Sequence, residues 1–349
     1  MKKRVFISSY HSIQSTDDWS LENVNITNIG AKKVYTLHPS FQESLNDFLN
    51  LHGRYRKLDR SCQMALYVAH EAFLKSGSIN ESTGVNFGSS RGATEIWEKD
   101  HKYFIENGKS RLLTSPITTL GNISSNIAKH IEGNGPSISH SITCSTSLQA
   151  ISNACAWLKA EMCSEFIVGG AEAPNGAFTI GQMSALGIYS NSVESIPCKP
   201  LEEKDSNTLV LGEGAAAFVI NDNPKKAIAE IAGIGYAMDN SSSLTGIPED
   251  GQNIFESMEM ATNGEKPDLI IAHAPGTIIG DQAEQLAIEN LFGKDIRTIS
   301  TKGYTGHTLG ASGAISIARA ISLLGKYNSI LINAVGFGGN AGSILLKTL

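Results

Sequence analysis

Four short segments of this 349-residue chain gather side chains that can do acyl chemistry. In Thr143-Cys144-Ser145-Thr146-Ser147 a cysteine sits among small residues, where a strand-like stretch gives way to a helix-like one. A thiol at a helix N-terminus meets unpaired N–H groups and the positive end of the dipole, and both favour the nucleophilic thiolate. His273-Ala274-Pro275-Gly276-Thr277 follows the apolar run Leu269 to Ala272, with Asp281 eight residues after the histidine. Ser300-Thr301-Lys302-Gly303-Tyr304-Thr305-Gly306-His307 places a lysine and a second histidine around a glycine-containing turn. In Gly336-Phe337-Gly338-Gly339-Asn340 the glycines let the backbone approach a ligand, and its N–H groups could serve an oxyanion. Taken singly, each has a plainer reading: an inert core cysteine, a structural histidine, a glycine turn between strands. Together they offer a nucleophile, two imidazoles, a lysine and a backbone-donor loop, the inventory for acyl transfer to sulfur.

These segments need a frame. Strand-like patterns cover Lys3 to Ser8, Gly84 to Ser89, Ser137 to Thr143, Glu165 to Ala171, Gly214 to Asn221, Ala227 to Tyr236, Asp268 to Ala274, Ile296 to Ser300, Ser329 to Val335 and Ser343 to Lys347. Helical spacing covers Leu58 to Lys75, Thr118 to Ile131, Ser145 to Met162, Ile254 to Thr262, Asp281 to Phe292 and Gly310 to Leu324. Residues 11–53 are polar and carry no clear assignment. Strands alternating with helices predict an α/β protein with buried sheets. All four chemical segments follow predicted strands, where such sheets place their ligands. The alternation repeats, which suggests an internal duplication with a boundary between about 190 and 225. We set it at 210, giving halves 1–210 and 211–349.

Composition narrows the functions. At 41% hydrophobic and 18% charged, the chain can bury a large core. A net charge of −6 argues against broad nucleic-acid binding, which needs a positive surface. The five cysteines form no CxxC pair, so neither a disulfide framework nor a zinc site is expected, and a reducing compartment fits. Cys155 and Cys163 read as packing residues, and Cys62 and Cys198 have no supporting context. The basic start, Met1-Lys2-Lys3-Arg4, precedes an apolar run too short for a signal peptide, and no stretch approaches the ~20 apolar residues of a membrane span. A cytoplasmic protein with no bound metal or membrane association is expected.

The ordered motifs resemble the β-ketoacyl-acyl carrier protein synthases, in the branch that uses Cys-His-His. Besides the segments above, Gly169-Gly170-Ala171-Glu172 resembles that family's GGxE segment and Leu211-Gly212-Glu213-Gly214-Ala215 its GEGA segment. The match runs from about residue 54 to the end, and more faintly from residue 3. The resemblance implies the thiolase fold: two βαβαβαββ halves in a five-layered αβαβα core, usually dimeric, as a homodimer or as a heterodimer with a related subunit. It implies that Cys144 takes the acyl group from a carrier thiol, that His273 and His307 assist decarboxylation of the malonyl-carrier, and that Lys302 sets their electrostatics. The N–H groups of Cys144 and Phe337 would hold the oxyanion, with Phe337, flanked by Gly336 and Gly338, gating malonyl entry. Thr277 would bind the phosphopantetheine arm of the acyl carrier protein, which is substrate carrier, with no further cofactor. Arg56, Lys57 and Arg60, in the densest basic cluster of an acidic chain, would dock that carrier through charge complementarity.

Three departures stand out. The family's His-Gly-Thr-x-Thr is broken by Pro275, which has no donor. The glutamate expected nine residues after the second histidine is Ser316, so the charge of Lys302 must be balanced otherwise. The chain is some tens of residues shorter than a typical member, and 199–211 keeps only Lys199-Pro200-Leu201-Glu202 of the usual pattern. These changes favour a specialised fatty-acid, polyene or polyketide-like pathway. The alternatives are a non-catalytic chain-length-factor-like partner subunit, which would usually have lost the nucleophile, a thiolase or Cys-His-Asn condensing enzyme, and a cysteine hydrolase. Lys302 and Phe337 have no place in the last. Asn340 could pass for the asparagine of the Cys-His-Asn branch but need not face the sulfur.

Overall fold

A computed structural model describes residues 3–78, 82–239 and 248–349. Met1 and Lys2 of the basic start lie outside these residues. The first half contains β1 (Val5–Ile13), a hairpin of β2 (Ile26–Ile29) and β3 (Lys32–Tyr35), α1 (Pro39–Leu51), α2 (Arg60–Ser76), β4 (Thr83–Gly88), α3 (Thr94–Asn107), α4 (Thr114–Thr118), α5 (Asn122–His130), β5 (Ser137–His140), α6 (Thr146–Lys159), β6 (Glu165–Glu172), α7 (Ala177–Ala185) and β7 (Gly214–Asn221). The second contains β8 (Ala229–Met238), α8 (Gln252–Thr262), β9 (Leu269–Ile271), α9 (Ile278–Phe292), β10 (Thr298–Ile299), α10 (Lys302–Thr305), α11 (Ser312–Leu323), β11 (Ser329–Gly336) and β12 (Asn340–Lys347).

Strand order runs β10-β9-β11-β12-β8-β1-β7-β6-β4-β5. Numbered within its own half, each five-stranded portion has the order 3-2-4-5-1, so the duplication is visible in topology although sequence similarity between the halves is weak. The portions join where Val5, Phe6 and Ile7 of β1 pair with Ile231, Glu230 and Ala229 of β8. The 1–210 boundary needs correction. Gly214–Asn221 pairs with β1 and β6, so the repeat changes over between Asn221 and Ala229. A fifth strand is needed to complete the first half, and a cut at 210 would strip it of β7.

Packing produces the five layers. Leu148, Ile151, Ala154 and Leu158 of α6 meet Ala314, Ile315 and Ala318 of α11 in one buried cluster that also takes residues from both sheet portions. The outer face of the first portion is covered by α2, with Met64, Ala65 and Val68, and by α5, with Ile123 and Ile127. The outer face of the second is covered by α8, with Ile254 and Met258, and by α9, with Ala287 and Ile288. Burial on both faces explains the near-continuous apolar runs of β6, β7 and β11.

Several elements differ from the pattern reading. Residues 11–53 hold the end of β1, the hairpin and α1. In α3 only Asp100 is buried, while Trp97, Phe104 and Ile105 face outward, so no apolar stripe marks it. The helix expected over 118–131 is the shorter α5, which starts at Asn122; Thr118 instead ends the short α4, with Thr119 and Gly121 in the break. α7, centred on Gly181, was not expected at all.

Candidate active site

The turn that carries Cys144 joins β5 to α6. Thr143 holds a left-handed backbone (φ 49°), unusual for a β-branched residue, and the geometry is held by a dense set of bonds. Thr143 Oγ1 donates to the carbonyl of Phe337 at 3.2 Å and accepts from Asn340 Nδ2 at 3.2 Å. Asn340 also donates to the Phe337 carbonyl at 3.0 Å and accepts from Ser145. Thus the loop between β11 and β12 is clamped to the cysteine turn, and Asn340 is turned onto that clamp. Gly336 is required there: a Cβ would lie 2.0 Å from Thr143 Oγ1.

Cys144, His273, His307, Thr277, Pro275, Gly336 and Phe337 line one cavity of about 510 Å³. Its remaining wall is largely apolar, with Met183, Leu186, Ile188, Leu209, Ile278 and Leu309. α7 and the segment after it supply part of that wall, a contribution that an isolated reading of residues 177–209 could not reveal. Gly338 lies beside these residues in the loop, with φ +84°.

The two imidazoles meet edge to face, their ring centres 5.1 Å apart. Burial, then the charge of Lys302, holds both well below the usual histidine range, so both are neutral at pH 7. His307 Nδ1 is 3.1 Å from Ser312 Oγ, at the start of α11. His273 Nδ1 is buried and has no partner among the described residues.

Lys302, 1% exposed, begins α10 and donates through Nζ to the carbonyl of His273. Burial lowers it to about 8, and Glu284 is the foremost charge opposing that fall. Glu284 is a buried carboxylate whose charge acts on Lys302, while Ser316 places its hydroxyl 3.2 Å from that of Thr301. Fully buried on α9, Glu284 accepts the N–H groups of His273 at 2.8 Å and Ala274 at 2.7 Å, and Asn333 Nδ2 at 3.0 Å. The sequence reading missed it. Its signal was an acidic residue three positions after Asp281, on one helical face.

The thiol differs from expectation. Burial pushes Cys144 up to about 12, with Lys302 only partly countering, so desolvation outweighs the helix terminus and the resting group is the protonated thiol.

The remaining motifs are scaffolding. Glu172 accepts the N–H groups of Ser90 (2.8 Å), Arg91 (3.1 Å) and Gly310 (3.0 Å) and the Ser89 hydroxyl (2.7 Å), tying the loop after β4 to the turn that follows His307. Asp281 accepts the Gly276 N–H at 2.9 Å and pairs with Lys204, which anchors the otherwise divergent 199–211 segment to the first histidine loop. Ala274, where the family has glycine, takes φ 26°. Its N–H bond to Glu284 holds it there.

Arg56 and Lys57 are exposed in the 3₁₀ turn Gly53–Lys57. Arg60 does not belong with them. Its guanidinium makes two bonds to Glu213, one of 2.7 Å, and a further one to Gln42. Glu213 is 4% exposed and also accepts the Leu37 N–H, so Arg60, expected at the docking surface, is instead the counter-ion of a buried carboxylate.

Two matched sheet portions around a central helix pair, with site loops from both halves meeting in one cavity, define a thiolase-like protein. The comparisons are more specific. Residues 6–225 match the family model "Beta-ketoacyl synthase, N-terminal domain" and residues 228–328 "Beta-ketoacyl synthase, C-terminal domain". The chain belongs to the beta-ketoacyl synthase family, as a divergent member. It is 28% identical to 3-oxoacyl-[acyl-carrier-protein] synthase 2 of Vibrio cholerae, covering 84% of each chain, and 31% identical to that of Staphylococcus aureus, covering 80% of this chain and 75% of the other. Among solved structures, the ishigamide ketosynthase/chain length factor superposes with TM-score 0.88 at 17% identity over the whole of both chains. A ketosynthase in complex with its chain length factor from Xenorhabdus doucetiae gives 0.82 at 18%, over 99% and 98% of the two chains. These likenesses show the fold. No helix among the described residues is long and apolar enough to cross a membrane.

Proposed function

We propose that this chain is an active β-ketoacyl synthase, joining an acyl group held on Cys144 to a malonyl unit carried by an acyl carrier protein, in a specialised fatty-acid, polyene or polyketide pathway. The carrying observation is the single cavity in which Cys144, two neutral histidines and the loop of Phe337 converge beside Lys302. The relatives' names support carrier-borne substrates, and Pro275 and Ser316 support divergence from housekeeping elongation.

In loading, Cys144 attacks the carrier thioester. Its proton passes to the departing carrier thiolate, so a resting thiol is the correct starting form and the exchange is balanced. The N–H groups of Cys144 and Phe337 stabilise the oxyanion. In condensation, the malonyl carboxylate leaves as carbon dioxide and its electron pair becomes an enolate. N–H donation from neutral His273 and His307 stabilises the enolate oxygen, as imidazole can and a carboxylate cannot. The enolate carbon attacks the Cys144 thioester, and the thiolate leaves and is reprotonated. Thr277 holds the pantetheine arm without the second hydroxyl that Pro275 removes, and Phe337 gates entry.

A cytoplasmic location and a dimeric assembly, with an identical or a related subunit, belong to the same proposal. A non-catalytic partner role is the rival, and retention of Cys144, His273, Lys302 and His307 weighs against it. The test is mass spectrometry of the intact protein with candidate acyl-carrier proteins. Uptake of one acyl group supports the reading, while acylation of an added partner only would overturn it.

The pH profile is a sharper check. Lys302 loses its proton near 8, so condensation should fall on that alkaline limb, while the depressed imidazoles should leave no acid limb near the ordinary histidine value of about 6.5. Glu284→Gln removes the charge that raises Lys302, and so should move the alkaline limb to lower pH. A limb that stays in place would remove Lys302 from the profile.

Docking separates from stability. Reversing Arg56 and Lys57 to glutamate should weaken carrier binding, more at low salt, while leaving turnover of small thioester mimics intact. Arg60→Ala should instead cost about 3 kcal/mol of stability by leaving Glu213 unpaired, read as a lower urea midpoint.

A further inference from the structure

We infer that His52, His70 and His130 form a binding site for a late first-row divalent transition-metal ion such as Zn²⁺. The three residues come from separate elements: the end of α1, the middle of α2 and the last turn of α5. One ring nitrogen of each lies within 4.8 Å of the others. Tetrahedral zinc bound through imidazole would set these nitrogens about 3.3 Å apart, so small rotations of half-buried rings suffice. His130 and His70 are already 2.9 Å apart through Nε2 and Nδ1, and must separate slightly.

The surroundings suit neutral imidazole ligands. Burial lowers His130 to about 4, and lowers His70 too, so both have a lone pair to offer at pH 7. His130 Nδ1 lies 2.9 Å from the Tyr55 hydroxyl, whose oxygen also accepts from Arg54 at 2.6 Å. With the His130 proton on Nδ1, donated to Tyr55, Nε2 is free to ligate, the arrangement by which an outer partner sets a ligand's tautomer. His70 then needs only a tautomer change, not net deprotonation. Among the described residues no hydrogen bond engages the His52 ring, which packs by its faces and edges on Phe48, Tyr55, His70 and His130. Imidazole donors with no thiolate or carboxylate in the trio favour Zn²⁺, Cu²⁺, Ni²⁺ or Co²⁺ over Ca²⁺ or Mg²⁺. Three protein ligands leave a fourth position for water. The ion would pin the start of the basic turn Gly53–Lys57 to α2 and α5.

The test uses untagged, chelator-treated full-length protein titrated with Co²⁺. One equivalent should give the visible absorption of a four- or five-coordinate nitrogen and oxygen site, without a sulfur charge-transfer band, and Zn²⁺ should displace it. His130→Gln should lower affinity at least ~100-fold and Tyr55→Phe about tenfold, and Cys144→Ala should leave the spectrum unchanged. Should His130→Gln fail to fold, His52→Asn, at the mouth of the α1–α2 connection, serves in its place. Zn²⁺ should also raise the melting temperature of the wild-type protein and not that of His52→Asn. No saturable one-equivalent binding, or binding equal in wild type and the histidine variants, overturns the site.

Discussion

Cys144→Ala should abolish acyl loading while leaving the protein folded. The side chain is small and 7% exposed, and loss of one sulfur at a cavity wall leaves little new void in the core. The turn around it is held by Thr143, Ser145 and Asn340, none of which bonds to the sulfur. No second thiol can substitute: Cys62, Cys155, Cys163 and Cys198 are buried, and none of them lines the cavity. The expected readout is loss of the acyl mass shift on the intact protein with an unchanged thermal midpoint. A variant that still gains the acyl group would place the nucleophile elsewhere and sink the mechanism.

His273→Ala and His307→Ala should each reduce decarboxylation of the malonyl-carrier by roughly 10²–10⁴-fold while sparing acyl loading far more. The asymmetry follows from the proton account. In the proposed mechanism loading moves one proton from the Cys144 thiol to the leaving thiolate, whereas decarboxylation builds negative charge on an oxygen that the two imidazoles would stabilise. His273→Ala should be the cleaner of the two, since its backbone N–H is held by Glu284 whatever the side chain, and the loop should keep its course. His307→Ala also removes the contact to Ser312 at the start of α11, and a modest loss of stability should accompany it. Rapid-quench measurement of carbon dioxide release, set beside intact-mass loading, separates the steps. Equal losses in both would assign the histidines to thiol activation instead.

Much of this site could be read without coordinates because its parts lie in short, contiguous segments. Cys144 with its small neighbours, His273 three residues before Gly276, Lys302 five residues before His307, and Phe337 among glycines are local patterns. Each sits where a predicted strand ends, and strand patterns are legible when both faces are buried, as in β6, β7 and β11. Of the helices that escaped detection, α3 lacks an apolar stripe, whereas α1 buries Leu45, Phe48 and Leu49 within a stretch that is otherwise polar.

What remained hidden depends on distance in sequence. Arg60 stands in a basic run, and only folding brings Glu213, 153 residues away, to its guanidinium. The carboxylate whose charge acts most on Lys302 is Glu284 and not a residue on its own segment, because α9 packs against the loop of His273. The state of Cys144 reversed for a related reason. A helix terminus acts locally and is visible in sequence, whereas desolvation depends on everything packed around the sulfur. The sequence by itself determined which atoms are available: one thiol, two imidazoles, an ammonium and a glycine-loosened loop. The tertiary structure alone decided their protonation, their counter-ions and which basic side chains remain free, since burial and long-range pairing set electrostatic energies that no contiguous stretch of residues encodes.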